Sequence, residues 1–188
     1  MKVFDFDNTL YRGESCIDFT LYMIRCNKRI ILMLPMIFFN LIRYKLCIIS
    51  KNEIETLIND SMQKIIKDKN EVLSITKDFW DKNIRKLNTG LIESITEDDA
   101  VISAGPRFLL EAVIHNIGTS NLICSEVDLD KKQIIYLNFG ENKVKEYRKK
   151  YGTTPIDSFY TDSYNDKAMM DISDEVYLVR KWKIKRIK

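Results

Sequence analysis

The chain has 188 residues, 45% apolar and 30% charged, a balance that excludes disorder and allows a sizeable core. Six glycines and three prolines exclude collagen-like and low-complexity chains, and four cysteines without a CxxC pair, beside one histidine (His115), leave a Cys/His zinc site almost without ligands. The net charge of +3 is uneven: the last nine residues, RKWKIKRIK, hold six basic groups and no acid, which leaves 24 basic and 27 acidic groups elsewhere, a net −3. That argues against a nucleic-acid-binding body. The tail reads as a solvated C-terminus or as a contact for anionic lipid or RNA. The opening MKVFDFD sets acids inside its first apolar run, unlike a secretory or transit signal, so a reduced cytoplasmic location is expected. The cysteines there would act as small hydrophobes.

Val3 to Asp7 reads as a short strand ending in acids. Residues 14–98 show helical spacing throughout, with no convincing strand. Ala100 to Ser103 is a buried-strand pattern, and Gly105-Pro106 starts a helix with Phe108, Leu109, Ala112, Val113 and Ile117 on one face, stopped at Gly118. Asn121–Val127 and Gln133–Asn138 read as strands around a DLDKK turn. Asn142–Tyr151 reads as a helix ended by Gly152, Asp157–Thr161 as a strand, Asn165–Ile172 as a helix and Glu175–Val179 as a last strand. Alternating strands and helices imply a parallel sheet covered on both faces, with ligands at the carboxyl ends of the strands.

The chemistry-bearing residues fall at those ends. The first strand gives Asp5, Asp7 and Thr9, the second Ser103, and a late one Asp162, Asn165 and Asp166, while Lys143 lies near a helix start. Four crowded carboxylates repel unless a cation neutralises them, and an all-oxygen set points to Mg²⁺. One acid of the Asp5–Asp7 pair can then attack phosphorus, and the other can protonate the leaving oxygen and later activate water. Ser103 and Lys143 suit phosphoryl oxygens, as does the helix N-terminus after Ser103. Lys145 is a rival to Lys143, but its spacing from Gly140 is less favourable.

DxDxT (Asp5, Asp7, Thr9), a Ser closing an apolar run (Ser103), a helical Lys (Lys143) and DxxND (Asp162, Asn165, Asp166), in that order, resemble the haloacid dehalogenase superfamily of phosphatases. The resemblance covers residues 1–13 and 99–179. It implies an α/β fold: a Rossmann-like three-layer α/β/α core with a parallel sheet, plus a helical cap inserted after the first strand. The expected domains are a core of residues 1–13 and 99–188 and a cap of residues 14–98. It also implies Asp5 as nucleophile, Asp7 as general acid/base, and Mg²⁺ held by the Asp5 carboxylate, the Asp7 carbonyl and Asp162, with Asp166 in support. Within the superfamily the chain is most similar to the phosphoserine-phosphatase-like branch, whose members carry a substrate-contacting Glu where Glu14 stands.

The expected activity is Mg²⁺-dependent hydrolysis of a small, phosphoserine-like phosphomonoester. Residues 30–42, IILMLPMIFFNLI, are uncharged, interrupted by Pro35 and shorter than a membrane span. They read as a packed cap core or as a cap dipping into the membrane surface. The latter, with the basic tail, gives a second reading: a phosphatase of lipid-linked phosphate, of the phosphatidylglycerophosphate type, peripheral to an anionic membrane. Receiver-like phospho-acceptors and non-catalytic binding descendants are further alternatives. A receiver lacks both the long helical insertion and a leading DxDxT.

Overall fold

The computed structural model describes residues 1–26, 51–66 and 68–188. The strands are β1 (Lys2–Phe4), β2 (Ala100–Pro106), β3 (Leu122–Asp128), β4 (Gln133–Tyr136), β5 (Ile156–Thr161), β6 (Ser173–Arg180) and β7 (Lys183–Arg186). The helices are α1 (Ser15–Cys26), α2 (Lys51–Ile65), α3 (Lys69–Asn83), α4 (Thr89–Ile92), α5 (Arg107–Ile114), α6 (Glu141–Tyr151) and α7 (Lys167–Asp171). Short 3₁₀ turns cover Ile84–Lys86 and Tyr164–Asp166.

The strands form one sheet in the order β4-β3-β2-β1-β5-β6-β7. Its five inner strands run parallel, and the edge strands β4 and β7 pair antiparallel. Residues on the inner strands alternate between two apolar layers, as a two-residue side-chain period requires. Phe4, Val101 and Leu122 join the layer of α1, α3 and α5, whereas Val3, Ala100, Ile102 and Ile123 join that of α6 and α7. The result is the expected three-layer α/β/α arrangement.

Several expected boundaries move. β2 runs on to Pro106, which takes an extended conformation (φ −75°, ψ 143°) and precedes α5 instead of opening it. The last nine residues are not a loose tail: β6 ends at Arg180, turns at once, and returns as β7. Cys124 is a buried core residue, as expected, but Cys16 and Cys26 are exposed. The uncharged run 30–42 lies outside the described residues, as does Cys47. No helix among the described residues is long and apolar enough to cross a membrane.

The chain leaves and re-enters the core at one place. Arg12 N donates to Lys86 O at 2.9 Å, Asn88 N donates to Leu10 O at 2.7 Å, and Tyr11 bridges antiparallel to Leu87. Beyond that junction, Leu91 and Ile95 are buried with the sheet. Within the excursion, α3 lies on α5, and Trp80 Nε1 donates to Leu109 O at 2.7 Å. α2 meets the β3–β4 hairpin, where Ile134 N donates to Asn59 Oδ1 at 2.9 Å.

Candidate active site

β1 is the switch point of the sheet, with β2 on one side and β5 on the other, so its carboxyl end opens into the crevice where ligands of such sheets sit. Asp5 N donates to Tyr160 O at 2.8 Å, which carries the β1–β5 pairing one residue past the strand. The chain then turns sharply: Thr9 N, Leu10 N and Tyr11 N all donate to Phe6 O, and Asn8 takes a left-handed conformation at φ 56°. Asn and Asp tolerate that region better than other side chains. The turn leaves Asp7 facing α1, where Asp7 Oδ1 accepts from Ser15 N at 2.7 Å. A carboxylate on a helix's first amide is electrostatically favourable.

Lys143 stands on the first turn of α6, after Gly140, and is 3% exposed. Its ammonium lies 2.8 Å from Asp5 Oδ1 and 2.7 Å from Asp166 Oδ1. Burial by itself lowers the pKa of an ammonium, but Asp5 and Asp166 together hold Lys143 above its ordinary value. Asp166 Oδ2 accepts from Thr161 Oγ1 at 3.0 Å, so both of its oxygens are engaged by protein donors. Lys145, the rival, is exposed.

The remaining acids carry negative charge that this one lysine does not balance. Burial pushes the Asp5 carboxyl well above its usual range, against the pull of Lys143. Burial likewise raises Asp7 to about 6, against the Ser15 amide. Asp162 is raised by burial and then by Glu14 and Asp166. Glu14 itself is exposed at the rim, its Oε1 accepting from Asn8 Nδ2 at 2.7 Å.

The donor set suits a hard divalent cation. Asp5 Oδ2 accepts no hydrogen bond from the described residues, and the raised carboxyls of Asp5, Asp7 and Asp162 would all be relieved by added positive charge. Among the described residues no three His, Cys, Asp or Glu side chains form a ready-made cage. Mg²⁺ does not need one, since it keeps waters and binds through one or two carboxylates and a substrate phosphate.

Ser103 is buried at the end of the expected second strand, and its Oγ accepts from Gly105 N at 2.9 Å. Thr9 is fully buried, and its Oγ1 bonds no described group. Asn165 is exposed on the 3₁₀ turn, and only its backbone is tied down, N to Ser163 Oγ at 3.1 Å. Asp5, Asp166 and Lys143 therefore share one network, Asp7 and Asp162 act on it only through their charge, and Asn165 stands outside it.

Two residues missed in the sequence support this arrangement. Asn138 is wholly buried, and its Nδ2 donates to Ser103 O at 2.9 Å, fixing the end of the serine-bearing strand. Ser125 Oγ joins it by donating to Ala104 O and accepting from Asn138 N. Asn138 follows an apolar strand and precedes a glycine turn, which reads as an ordinary loop asparagine. Asn8 is the second, and the signal for it was its place inside DFDNT.

A family model described as haloacid dehalogenase-like hydrolase matches residues 3–171. Comparison with curated proteins gives no significant match. Among solved structures, a protein of unknown function from Bordetella pertussis Tohama I superposes with a TM-score of 0.66 at 16% identity, over 94% of this chain and 87% of that one. A phosphoserine phosphohydrolase-like protein from Francisella tularensis subsp. tularensis SCHU S4 gives 0.57 at 19% identity, over 94% and 86%. A HAD family hydrolase from Salmonella enterica subsp. enterica serovar Typhi gives 0.54 at 12% identity, over 91% and 59%. At these identities the likeness concerns the fold.

Proposed function

Because the chain belongs to the haloacid dehalogenase-like hydrolase family, we propose that it is a Mg²⁺-dependent phosphatase that hydrolyses a phosphomonoester through a phosphoaspartate on Asp5. The observation that carries this reading is the buried Lys143 held between Asp5 and Asp166 at the switch point, with Asp7 anchored beside it.

Asp5 attacks the phosphorus, and the bond from phosphorus to the leaving oxygen breaks as the acyl phosphate forms. Asp7, whose carboxyl is raised to about 6, gives the leaving oxygen its proton and then takes one from the water that cleaves the acyl phosphate. Lys143 and Ser103 bind phosphoryl oxygens, and the free hydroxyl of Thr9 serves the same group. Asp166 acts by fixing the Lys143 ammonium. The Asp5 carboxylate, the Asp7 carbonyl and Asp162, with Asp166 in support, would hold Mg²⁺, which when bound would supply positive charge against the repulsion between these acids and an incoming phosphate. Residues 14–98 serve as a cap that excludes water and selects the substrate, with Glu14 at its entrance. A small soluble phosphomonoester is the substrate class this reading favours.

Replacing Asp5 by Asn removes the nucleophile and keeps its shape. Phosphate release from p-nitrophenyl phosphate should vanish while the far-ultraviolet circular dichroism is unchanged, and EDTA should silence the parent enzyme. Unaltered turnover in the variant would exclude Asp5 as nucleophile, and activity surviving EDTA would exclude the metal.

A further inference from the structure

Of the four clustered acids Asp162 lines a cavity of about 610 Å³, together with Asn8, Arg12, Arg180, Lys181 and Trp182. Asp162 and Asn8, which bonds it, place the cavity beside the acid cluster. The far wall is the turn that joins β6 to β7, closed by the pairing of Arg180 with Lys183. Its two central residues are left-handed, Lys181 at φ 49° and Trp182 at φ 67°. A two-residue hairpin turn of this kind ordinarily uses Asn-Gly, because side chains are strained there. This chain instead places a cation and an indole at the strained positions, and both line the cavity.

Arg12 faces them from the junction where the excursion leaves the core. Its guanidinium lies 5.3 Å from the centre of the Trp182 ring, a cation–π contact that orients the charge. Arg12, Arg180 and Lys181 form no ion pair among the described residues. Three cations without an ion-pair partner among the described residues line this cavity, and together they account for the whole net charge of +3. Asp162, the one acid that lines the cavity, is already claimed by the metal in the reading above.

We propose that this cavity is the leaving-group subsite and that the substrate is a phosphomonoester whose leaving group carries a second anionic group, a carboxylate or a phosphate, bound by Arg12, Arg180 and Lys181 over the face of Trp182. The assignment rests on the phosphatase reading for its scissile phosphate and on the hairpin turn for its specificity. A neutral leaving group leaves the three cations unmatched. An anionic one converts them into orientation of the scissile bond.

The test compares 3-phosphoglycerate with glycerol 3-phosphate, which differ by a carboxylate in place of a hydroxymethyl group, and 1,3-propanediol bisphosphate with propyl phosphate. The parent enzyme should favour the anionic member of at least one pair by tenfold or more in kcat/KM, and the pair that responds tells carboxylate from phosphate. In Arg12→Gln with Lys181→Gln that preference should drop at least tenfold, whatever common loss both members suffer. A parent preference under threefold in both pairs overturns the proposal, as does a preference that survives the double substitution in a folded variant. A second readout does not depend on turnover. The other tryptophan, Trp80, is buried. Titration with 3-phosphoglycerate or the bisphosphate should therefore change the fluorescence of the parent and not of Trp182→Phe. A protein that hydrolyses neither these four nor p-nitrophenyl phosphate yet shows this response overturns the phosphatase reading and keeps the anion subsite; one that hydrolyses p-nitrophenyl phosphate but shows neither preference nor response overturns the anion subsite alone.

Discussion

Lys143 is the residue on which the site's charge balance turns. A buried cation between two carboxylates is held by them and holds them, and deleting one member of such a group strands the others in a low dielectric. Lys143→Met should therefore lose stability by about 3 kcal/mol or more and lose phosphatase activity as well, read by urea unfolding and phosphate release. A variant as stable as the parent would contradict the pairing with Asp5 and Asp166. Asp99 makes a second, purely structural prediction. Burial would raise its carboxyl, but the amides of Thr96 and Lys2, the Thr96 hydroxyl and the Lys2 ammonium hold it below its ordinary 3.8. A depressed folded-state pKa contributes stability that is complete above about pH 4 and is lost as pH falls through the folded value. Asp99→Asn should cost about 2 kcal/mol at pH 7, and the gap from the parent should shrink in urea titrations at pH 3. An unchanged gap would exclude the titration of Asp99 as its source. The acids and Lys143 were readable from spacing because strand ends tolerate such groups only for a reason. Asn138 was not, since its importance lies in a buried carbonyl that no spacing encodes; Asn8 had a signal in its place inside DFDNT, but its left-handed backbone is not written there.

At the scale of elements, helices and inner strands were legible from apolar period, and the exceptions have identifiable causes. β7 hides in RKWKIKRIK because its turn carries Lys181 and Trp182 where a hairpin signal has Asn and Gly, and because all four of its residues are exposed. The overrun of β2 to Pro106 arises because its late part pairs with β3 at Pro106 and Ser125 after a shift in register. The seating of α3 on α5 depends on Trp80, whose indole N–H meets Leu109 O inside the core. Trp80→Phe keeps most of the apolar contact and removes that bond, while Leu109 O keeps its acceptor role inside α5. A loss of about 0.5–1.5 kcal/mol is expected, measured by denaturant unfolding, and a loss below the experimental error would mean that the bond contributes nothing net.

Across the whole molecule, the functional groups come from distant parts of the chain: Asp5 and Asp7 from the beginning, Ser103 and Lys143 from the middle, Asp162 and Asp166 from the end. Global unfolding must separate them, so a ligand that bridges them opposes unfolding by mass action. Mg²⁺ with inorganic phosphate should raise the melting temperature further than the two separate shifts combined, a ligand at a hundred times its dissociation constant contributing about 2.7 kcal/mol in all. Shifts that merely add would argue against a shared site. What could be read of this level from sequence was a parallel sheet and the meeting of its strand ends; the order of strands within the sheet and the shape of the cavity beside them could not, because the latter depends on a hairpin at the far edge of the sheet.

The junction at Arg12 and Lys86 has an evolutionary consequence. Two chain ends one hydrogen bond apart form a socket, and the entropy of closing a loop across it grows only with the logarithm of its length. The part of that segment outside α1 and α3, which pack in one apolar layer with Phe4 and Val101, can lengthen, shorten or be exchanged without disturbing β1 or β2. Selection can thus retune which molecules the protein handles and leave its hydrolytic floor untouched.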